Sequence, residues 1–480
     1  MEDKKYLYKR NNIWWVKVAV PKSQRDKFGY DLRQTTGKSD LNEARSVRNH
    51  IVESLKSKFS ETEKYVPLPS TKFMEKTNID NPQYFHKVVD CQYACPAHTN
   101  VPEYIRLIAQ KKYTDAYMLN WESNVFPGIL GRVCDRPCEP ACRRGRTHEK
   151  SVAICRLKRV TYDYKDDVEK YIPQSPKVKN GKRIALIGAG PASLTVARDL
   201  LPLGYECTIF EKDHKAGGLM RTNIPSFRLP ADVLDEEIYR IINMGAELKL
   251  NSYIEKLKPV IDEYDSVFIG TGAPKGKDLK LKGREISSEN IHIGIDWLTS
   301  IAFEHVKKIG KKVIVIGGGN TAMDCCRSAL RLGATDVKVT VRSPFSQMKA
   351  SEWEIEETME EGIPILDNTS PKEFLFDDKG KLCGMKFEKM EQVEVDGRKK
   401  MQSTGEEITI ECDDVLLAIG QENAFPWIEK DIGIEFGEWE MPVVDKLTMQ
   451  STHPKVFFGG DSAWGPENII WAVSHGHQAA

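Results

Sequence analysis

No apolar run in this 480-residue chain approaches the ~20 residues that a membrane-spanning helix needs. Charge of one sign is also missing: 70 basic residues meet 70 acidic ones, and the formal net charge is +0. No global field therefore draws the chain to nucleic acid or to an anionic membrane. The amino terminus, Met1-Glu-Asp-Lys-Lys5, lacks the apolar core of a signal peptide. Short-period repeats and low-complexity tracts are absent as well. A cytosolic setting with no membrane partner is the expectation.

What is present points to large packed domains. Apolar residues make up 40% and charged residues 29%, and the length suits two to four domains. Residues 1–60 stand apart, with 14 Lys/Arg against 7 Asp/Glu. Tyr6–Arg10 and Ile13–Val20 read as short strands joined at Asn11-Asn12, and Ser39-Asp40 can cap a helix from Leu41 to about Phe59. A loop with Pro67 and Pro69 follows. Helical pieces are expected at Val101–Gln110 and Thr114–Trp121, and residues 175–182 read as a linker.

From Lys182 the pattern becomes α/β. Arg183-Ile-Ala-Leu-Ile-Gly188-Ala-Gly190-Pro191-Ala192-Ser193 reads as a buried strand, a tight turn and a helix start. Val313-Ile-Val-Ile-Gly317-Gly-Gly319-Asn320-Thr321-Ala322 repeats it. Such turns set backbone N–H groups and a positive helix end against a pyrophosphate. Two of them imply two dinucleotides, and so hydride passing from a nicotinamide to a flavin. Glu211 ends the strand after the first turn, where a carboxylate can bind ribose hydroxyls. Gly217-Gly218-Leu219, Gly272 and Gly420 are candidates for close backbone approach. Gly460-Asp461 closes a late strand ahead of a helix from Asn468. After the second turn, Arg342 ends the strand that starts at Asp336, with Lys338 and Lys349 nearby and no carboxylate at the strand end. That favours NADPH over NADH. Beyond Ile363 the pattern is β-rich, with turns at Asp377–Gly380 and Asp396-Gly397.

Six of the 11 cysteines fall between Cys91 and Cys155: Cys91, Cys95, Cys134, Cys138, Cys142 and Cys155. Thiols so grouped in a cytosolic chain suit a metal centre, iron–sulfur or zinc. The neighbouring flavin favours iron–sulfur, as a one-electron relay. Cys325-Cys326 is not a Cys-x2-Cys redox pair, because adjacent helical residues face different ways. Cys207, Cys383 and Cys412 are expected to be core or surface residues.

Gly188–Ser193, Glu211, Gly217-Gly218-Leu219, Ile224-Pro-Ser-Phe-Arg228-Leu-Pro230, Gly317–Asp324, Met348–Glu352 and Gly459-Gly460-Asp461 resemble the glutamate synthase small-subunit family. The same module forms the flavin half of dihydropyrimidine dehydrogenase. The resemblance spans roughly residues 85–480. It implies an α/β fold with two Rossmann-like domains, the FAD domain split by an inserted NAD(P) domain. A helical iron–sulfur domain would precede them. The divisions expected are 1–65 for a basic appendage, 80–170 for iron–sulfur, 180–290 and 415–480 for FAD, and 291–414 for NAD(P). The family's FAD binds at the first turn, with Asp461 matching the aspartate near the ribityl-phosphate arm.

Two departures bear on this. The family has paired arginines where this chain has Arg342-Ser343. The family's two [4Fe–4S] clusters use an extra Cys-x2-Cys, where this chain has Phe85-His-Lys-Val-Val-Asp90. Eight ligands are needed and six cysteines are at hand, so one cluster is expected. Cys95, Cys134 and Cys138 lead its ligand set, with Cys91, Cys142 or Cys155 for the fourth place or for an incomplete second cluster. The expected activity is NAD(P)H-dependent flavin oxidoreduction, with current to or from a partner subunit, a glutamate synthase large subunit or another reductase. No general acid or base is called for. Residues 5–60 resemble the amino-terminal module of phage-type tyrosine recombinases through Tyr6–Arg10, Trp14-Trp15, Val20-Pro-Lys22 and Arg33–Gly37. A DNA-directed redox protein, or a scaffold that has lost electron transfer, is the alternative. A solvated basic cap or fusion remnant is favoured for the appendage over nucleic-acid binding. The pattern at Gln478-Ala-Ala480 is still helical, which leads one to expect a longer chain.

Overall fold

The computed structural model describes residues 6–10, 12–20, 31–60, 89–147, 150–286, 289–395 and 398–480. Met1–Lys5, Asn11, Pro21-Lys22, the Pro67/Pro69 loop, Phe85–Val88 and the Asp396-Gly397 turn lie outside them. The chain divides into two compact units, 1–84 and 85–480. No helix among the described residues is long and apolar enough to cross a membrane.

In the first unit, strands Leu7–Arg10, Ile13–Ala19 and Asp31–Thr35 form an antiparallel sheet. The Leu41–Ser60 helix packs Ala44, Ile51, Val52 and Leu55 on Val16 and Val18. Asp40 Oδ1 accepts from Asn42 N and Glu43 N at 2.9 and 3.0 Å, the cap the sequence implies.

The second unit holds two all-parallel five-stranded sheets. The first runs Val456–Phe458, Ser266–Ile269, Arg183–Ile187, Glu206–Phe210, Glu247–Lys249. The second runs Ile365–Leu366, Asp336–Thr340, Lys312–Ile316, Asp414–Leu417, Ile291–Ile293. The late strand Val456–Phe458 returns to the first sheet, so the second domain is inserted in the first. Lys275–Gly276 on the way out pairs with Gln421–Glu422 on the way back. The division expected at 414/415 shifts: Asp414–Leu417 pairs in the second sheet, so the return begins after Leu417. A meander of Thr369–Phe376, Leu382–Val395 and Arg398–Glu411 covers that sheet through Phe374, Met385 and Phe387 against Ile314 and Leu417.

Ahead of the sheets lie the helices Val101–Ala109, Tyr113–Asn124, Pro127–Val133 and Ile154–Asp163. The last three share one core with the first nucleotide domain: Tyr117, Phe126, Ile129 and Leu130 pack with Leu194, Ile238 and Ile241. The cysteine region is thus built onto that domain.

Candidate functional site

The first turn lies where the sequence puts it. Gly188 has φ 92°, and a Cβ there would meet Gly270 O at 2.8 Å. The chain then enters the Pro191–Leu200 helix, with Gly190 as its N-cap. Ser193 stands where a third glycine is usual, and it faces Gly270 so closely that a Cβ there would meet its Oγ at 2.3 Å. Glu211 is buried and staples the turn: Ala189 N donates to its Oε2 at 2.8 Å, and Asp213 N to its Oε1 at 3.1 Å. Burial raises its pKa, and these donors oppose the shift. Gly218, at φ 52°, closes on Gly190, where an added Cβ would lie 2.9 Å from the Gly190 Cα.

Two adjoining cavities meet at this turn, of about 500 and 220 Å³. Gly190, Gly218, Leu219, Asn223, Gly270 and Thr271 line both. The larger reaches Glu211, Ser252 and Trp427. The smaller reaches Pro191, Ala192, Gly272, Gly460 and Asp461. Burial pushes Asp461 up to about 6. An elongated group with a pyrophosphate middle fits this shape. Thr271 Oγ1 and Asn223 Nδ2, both on the shared wall, are buried without a hydrogen-bond partner, the condition that a polar ligand would relieve. Gly420 lines neither cavity; its carbonyl accepts from Lys277 N at 3.0 Å.

The second turn repeats the first. Gly317 has φ 144°, and a Cβ would sit 2.2 Å from Ala418 O. Gly319 caps the Asn320–Arg331 helix and has open space before it. Ala322, at the third position, is fully buried. Asn320, Thr321 and Asp324 face the smaller cavity. The Met348–Glu352 motif folds over the turn: Lys349 N and Ala350 N donate to Gly318 O, and Ser351 N donates to Asn320 Oδ1 at 2.8 Å. Arg342 is exposed just beyond the Asp336–Thr340 strand, outside both cavities and in no ion pair among the described residues. Lys338 pairs with Asp336. Arg228 lines the smaller cavity but is engaged with Asp324 and Glu354.

Four of the six thiols act on one buried cation. Lys158, 4% exposed, is buried close enough to Cys134, Cys155, Cys95 and Cys138 for their charge to act on its ammonium. Burial works against that charge, but the four thiols outweigh it and raise its pKa. The Tyr104 hydroxyl faces the same four and donates to Ile154 O at 3.0 Å. Burial pushes Cys134 up to about 11 and Cys138 further. Cys91 is raised by burial and by Cys142, which shares a core with Cys138. Among the described residues no three Cys, His, Asp or Glu side chains stand at metal-ligand spacing. Cys155 Sγ instead donates to Leu130 O at 3.2 Å. Four buried thiols about one buried cation still suit an anionic cluster, because thiolates carry the charge that the cation balances. Cys134 also lines the smaller cavity, so both turns and the cysteine region converge there.

Cys207, Cys325, Cys326 and Cys412 are buried, and Cys383 is exposed. Lys158, Glu237 and Glu354 are residues that sequence reasoning passes over, and Asp324 enters it only as the end of a family motif. The first had a signal, a lysine three residues after Cys155 on one helix face.

Residues 182–476 match the pyridine nucleotide-disulphide oxidoreductase family. Residues 85–170 match the dihydropyrimidine dehydrogenase domain II, 4Fe-4S cluster, family. The NADPH-Fe(3+) oxidoreductase subunit beta of Geobacter sulfurreducens is 32% identical over 438 residues, which cover 84% of this chain and 65% of that one. The glutamate synthase [NADPH] small chain of Azospirillum brasilense is 30% identical over 415 residues, 81% and 84% of the two chains. The chain thus spans about two thirds of the first relative and most of the second. FprA from Mycobacterium tuberculosis in complex with NADPH superposes with a TM-score of 0.52 at 16% identity, over 62% of this chain and 83% of that one, which speaks for the fold alone. The glycine turns, the inserted second sheet and the cysteine region ahead of them agree with these matches. The chain belongs to the pyridine nucleotide-disulphide oxidoreductase family, in the glutamate synthase small-chain-like branch that carries a 4Fe-4S domain.

Proposed function

We propose that this protein is an NADPH-dependent FAD oxidoreductase that exchanges electrons with a partner subunit through one [4Fe–4S] cluster. The observation that carries the reading is the smaller cavity, whose wall combines Gly190 and Gly218, Asn320 and Asp324, and Cys134. Gly188 and Gly190 leave room for a pyrophosphate at a helix start. Glu211 sits at the far end, in reach of an adenosine, and Thr271 and Asn223 offer free polar atoms between. Bound there, the flavin supplies the chemistry: it takes two electrons with a hydride from nicotinamide and releases them singly. Arg342 is the candidate for the 2′-phosphate of NADPH. Cys95, Cys134, Cys138 and Cys155 are the candidate cluster ligands. The relatives named as a beta subunit and a small chain support a protein acceptor or donor, with a glutamate synthase large-chain-like subunit one such partner. The cytosol, where thiols stay reduced, is the setting this suits.

Anaerobic purification with flavin, iron and sulfide analysis tests the reading. The protein should carry about one FAD per chain, together with iron and sulfide. Replacing Cys134 and Cys138 with serine should remove iron and the reduction of a protein acceptor, while NADPH still bleaches the flavin. Zinc in place of iron would overturn the relay and leave a structural clip.

A further inference from the structure

Glu237 lies on the Ala231–Ile242 helix of the first nucleotide domain and is 2% exposed. Its carboxylate leaves that domain's core to meet the cysteine region. Gly128 N donates to Oε1 at 2.7 Å and Ile129 N to Oε2 at 2.9 Å. These are first-turn N–H groups of the Pro127–Val133 helix, which that helix cannot satisfy itself. The Tyr117 hydroxyl donates to Oε1 at 3.0 Å and accepts from Arg240 Nη1 at 2.7 Å. Arg240 also reaches Glu169 at 3.0 Å and Glu236 at 2.6 Å. Glu236 in turn holds Lys165 at 2.9 Å and the Tyr162 hydroxyl. Burial pushes Glu237 up to about 7, against the pull of the two N–H groups, Arg240 and Tyr117.

The helix held at one end by Glu237 stops at Cys134 at the other. Its Leu130 and Gly131 carbonyls accept from Cys155 Sγ at 3.2 and 3.4 Å. Its face against the Ile154–Asp163 helix has no slack: a Cβ on Gly128 would meet the Tyr162 ring at 2.4 Å, and one on Gly131 the Arg159 backbone at 2.7 Å. Val133, Cys134 and Asp135, at its end, line the smaller cavity. Any slide of this rigid helix moves Cys134, and the carbonyls that hold Cys155, relative to the nucleotide turns.

We infer that Glu237 is a positioning residue for electron passage: it seats the Pro127–Val133 helix so that Cys134 and Cys155 keep their register with the cavity. This rests on the electron-transfer reading above. Hydride delivery, on the other side of the cavity, does not pass through Glu237. Protonating Glu237 removes the charge that the two helix N–H groups bind, and so loosens the seat.

The test uses the full chain as purified anaerobically. Glu237→Gln keeps the shape but turns an amide toward one of the two N–H donors. Loss of one charge-assisted bond should slow electron exit to a one-electron protein acceptor about tenfold. Iron, flavin and the rate of bleaching by NADPH should stay as in the wild type. Wild-type exit, divided by bleaching, should fall toward the variant's level as the pH drops through about 7, and the variant should be flat there. Tyr117→Phe removes a donor to the carboxylate and should move the wild-type step to higher pH. Exit equal to wild type at every pH in Glu237→Gln, or exit and bleaching falling together, overturns the inference. Iron lost from both variants also overturns it, by making Glu237 a strut of the cysteine cradle. A wild-type protein without flavin or iron, or one that NADPH does not bleach, fails the underlying reading instead.

Discussion

Arg228 of the first nucleotide domain forks onto Asp324 of the second, with Nη1 2.6 Å from Oδ1 and 2.8 Å from Oδ2. Its Nη2 reaches Glu354 Oε1 at 2.5 Å, and Arg327 takes the other Glu354 oxygen at 3.1 Å. The network therefore joins the Ile224–Pro230 segment to two helices of the inserted domain. Burial raises Asp324 to about 6, against the pull of Arg228. Removing the arginine leaves two buried carboxylates short of a partner. Breaking a buried pair from one side costs about 3–5 kcal/mol. Arg228→Ala should lower the melting temperature and slow flavin bleaching by NADPH, because the two turns lose a tether across the cavity. Thermal denaturation and stopped-flow bleaching read the two effects. Unchanged values for both would mean that the tether does not hold the domains.

The two glycines that meet at the first turn should fail in different ways. A Cβ on Gly190 meets nothing closer than 3.6 Å, whereas one on Gly218 meets backbone at 2.9 Å and sits at φ 52°. Gly190→Val should fold normally yet exclude flavin, since the branched side chain fills pyrophosphate space. Gly218→Val should lose flavin and also about 1–2 kcal/mol or more of stability from its left-handed backbone. Urea titration of the flavin-free proteins separates the two. Equal stability losses would contradict the open space before Gly190.

How much of this was legible depends on whether the information is local. Both turns are, because an apolar strand, a glycine bend and a helix start lie within about a dozen residues. The grouping of Cys95, Cys134, Cys138 and Cys155 is not, because 60 residues and several helix packings lie between the first and the last. Glu237 is hidden for a similar reason. In Asp235-Glu236-Glu237 the sequence shows three adjacent carboxylates that point to different sides of a helix, and only tertiary packing buries one of them. Asp414–Leu417 is a short apolar run that either sheet could take, and its pairing with Val313–Ile316 decides the domain boundary.

Arg342 should govern cofactor choice at no cost to the fold. It is exposed and makes no ion pair among the described residues, so its removal breaks nothing within the chain. A charge-assisted contact to a 2′-phosphate is worth about 1.5–3 kcal/mol, roughly ten- to hundredfold in affinity. Arg342→Ala should raise KM for NADPH by that factor and leave NADH use unaltered. An unchanged ratio of the two would remove Arg342 from the site.

His475 should make the protein acid-sensitive. Its Nδ1 accepts from Gly460 N at 3.2 Å, and the Trp464 and Trp471 rings lie 4.7 and 5.8 Å from its own. Burial lowers its pKa from 6.5 to about 4. Between those values the unfolded chain binds the proton more readily than the folded one, so stability is complete above about 6.5 and falls toward pH 4. The loss is at most about 3 kcal/mol. His475→Gln can keep an acceptor for Gly460 without titrating. Urea unfolding at several pH values should show a shallower acid slope in the variant. Parallel slopes would rule out His475 as the source.

The thiols give the last prediction. Cys134, Cys155, Cys95 and Cys138 act on Lys158, and Cys142, which shares a core with Cys138, acts on Cys91. One cluster needs four ligands, and the thiols that act on Lys158 supply four. Cys155→Ser should therefore lose iron as fully as Cys134→Ser. Cys91→Ser and Cys142→Ser should each keep iron and sulfide at the wild-type ratio. Lys158→Met tests the same grouping from its centre. Without the buried cation, the cluster's negative charge is uncompensated and its reduction potential should fall, with the iron still bound. Iron analysis and a redox titration monitored by electron paramagnetic resonance measure these outcomes. Equal iron loss in the Cys142 and Cys155 variants would show that the ligands are drawn from beyond those four, and that Lys158 does not mark the centre.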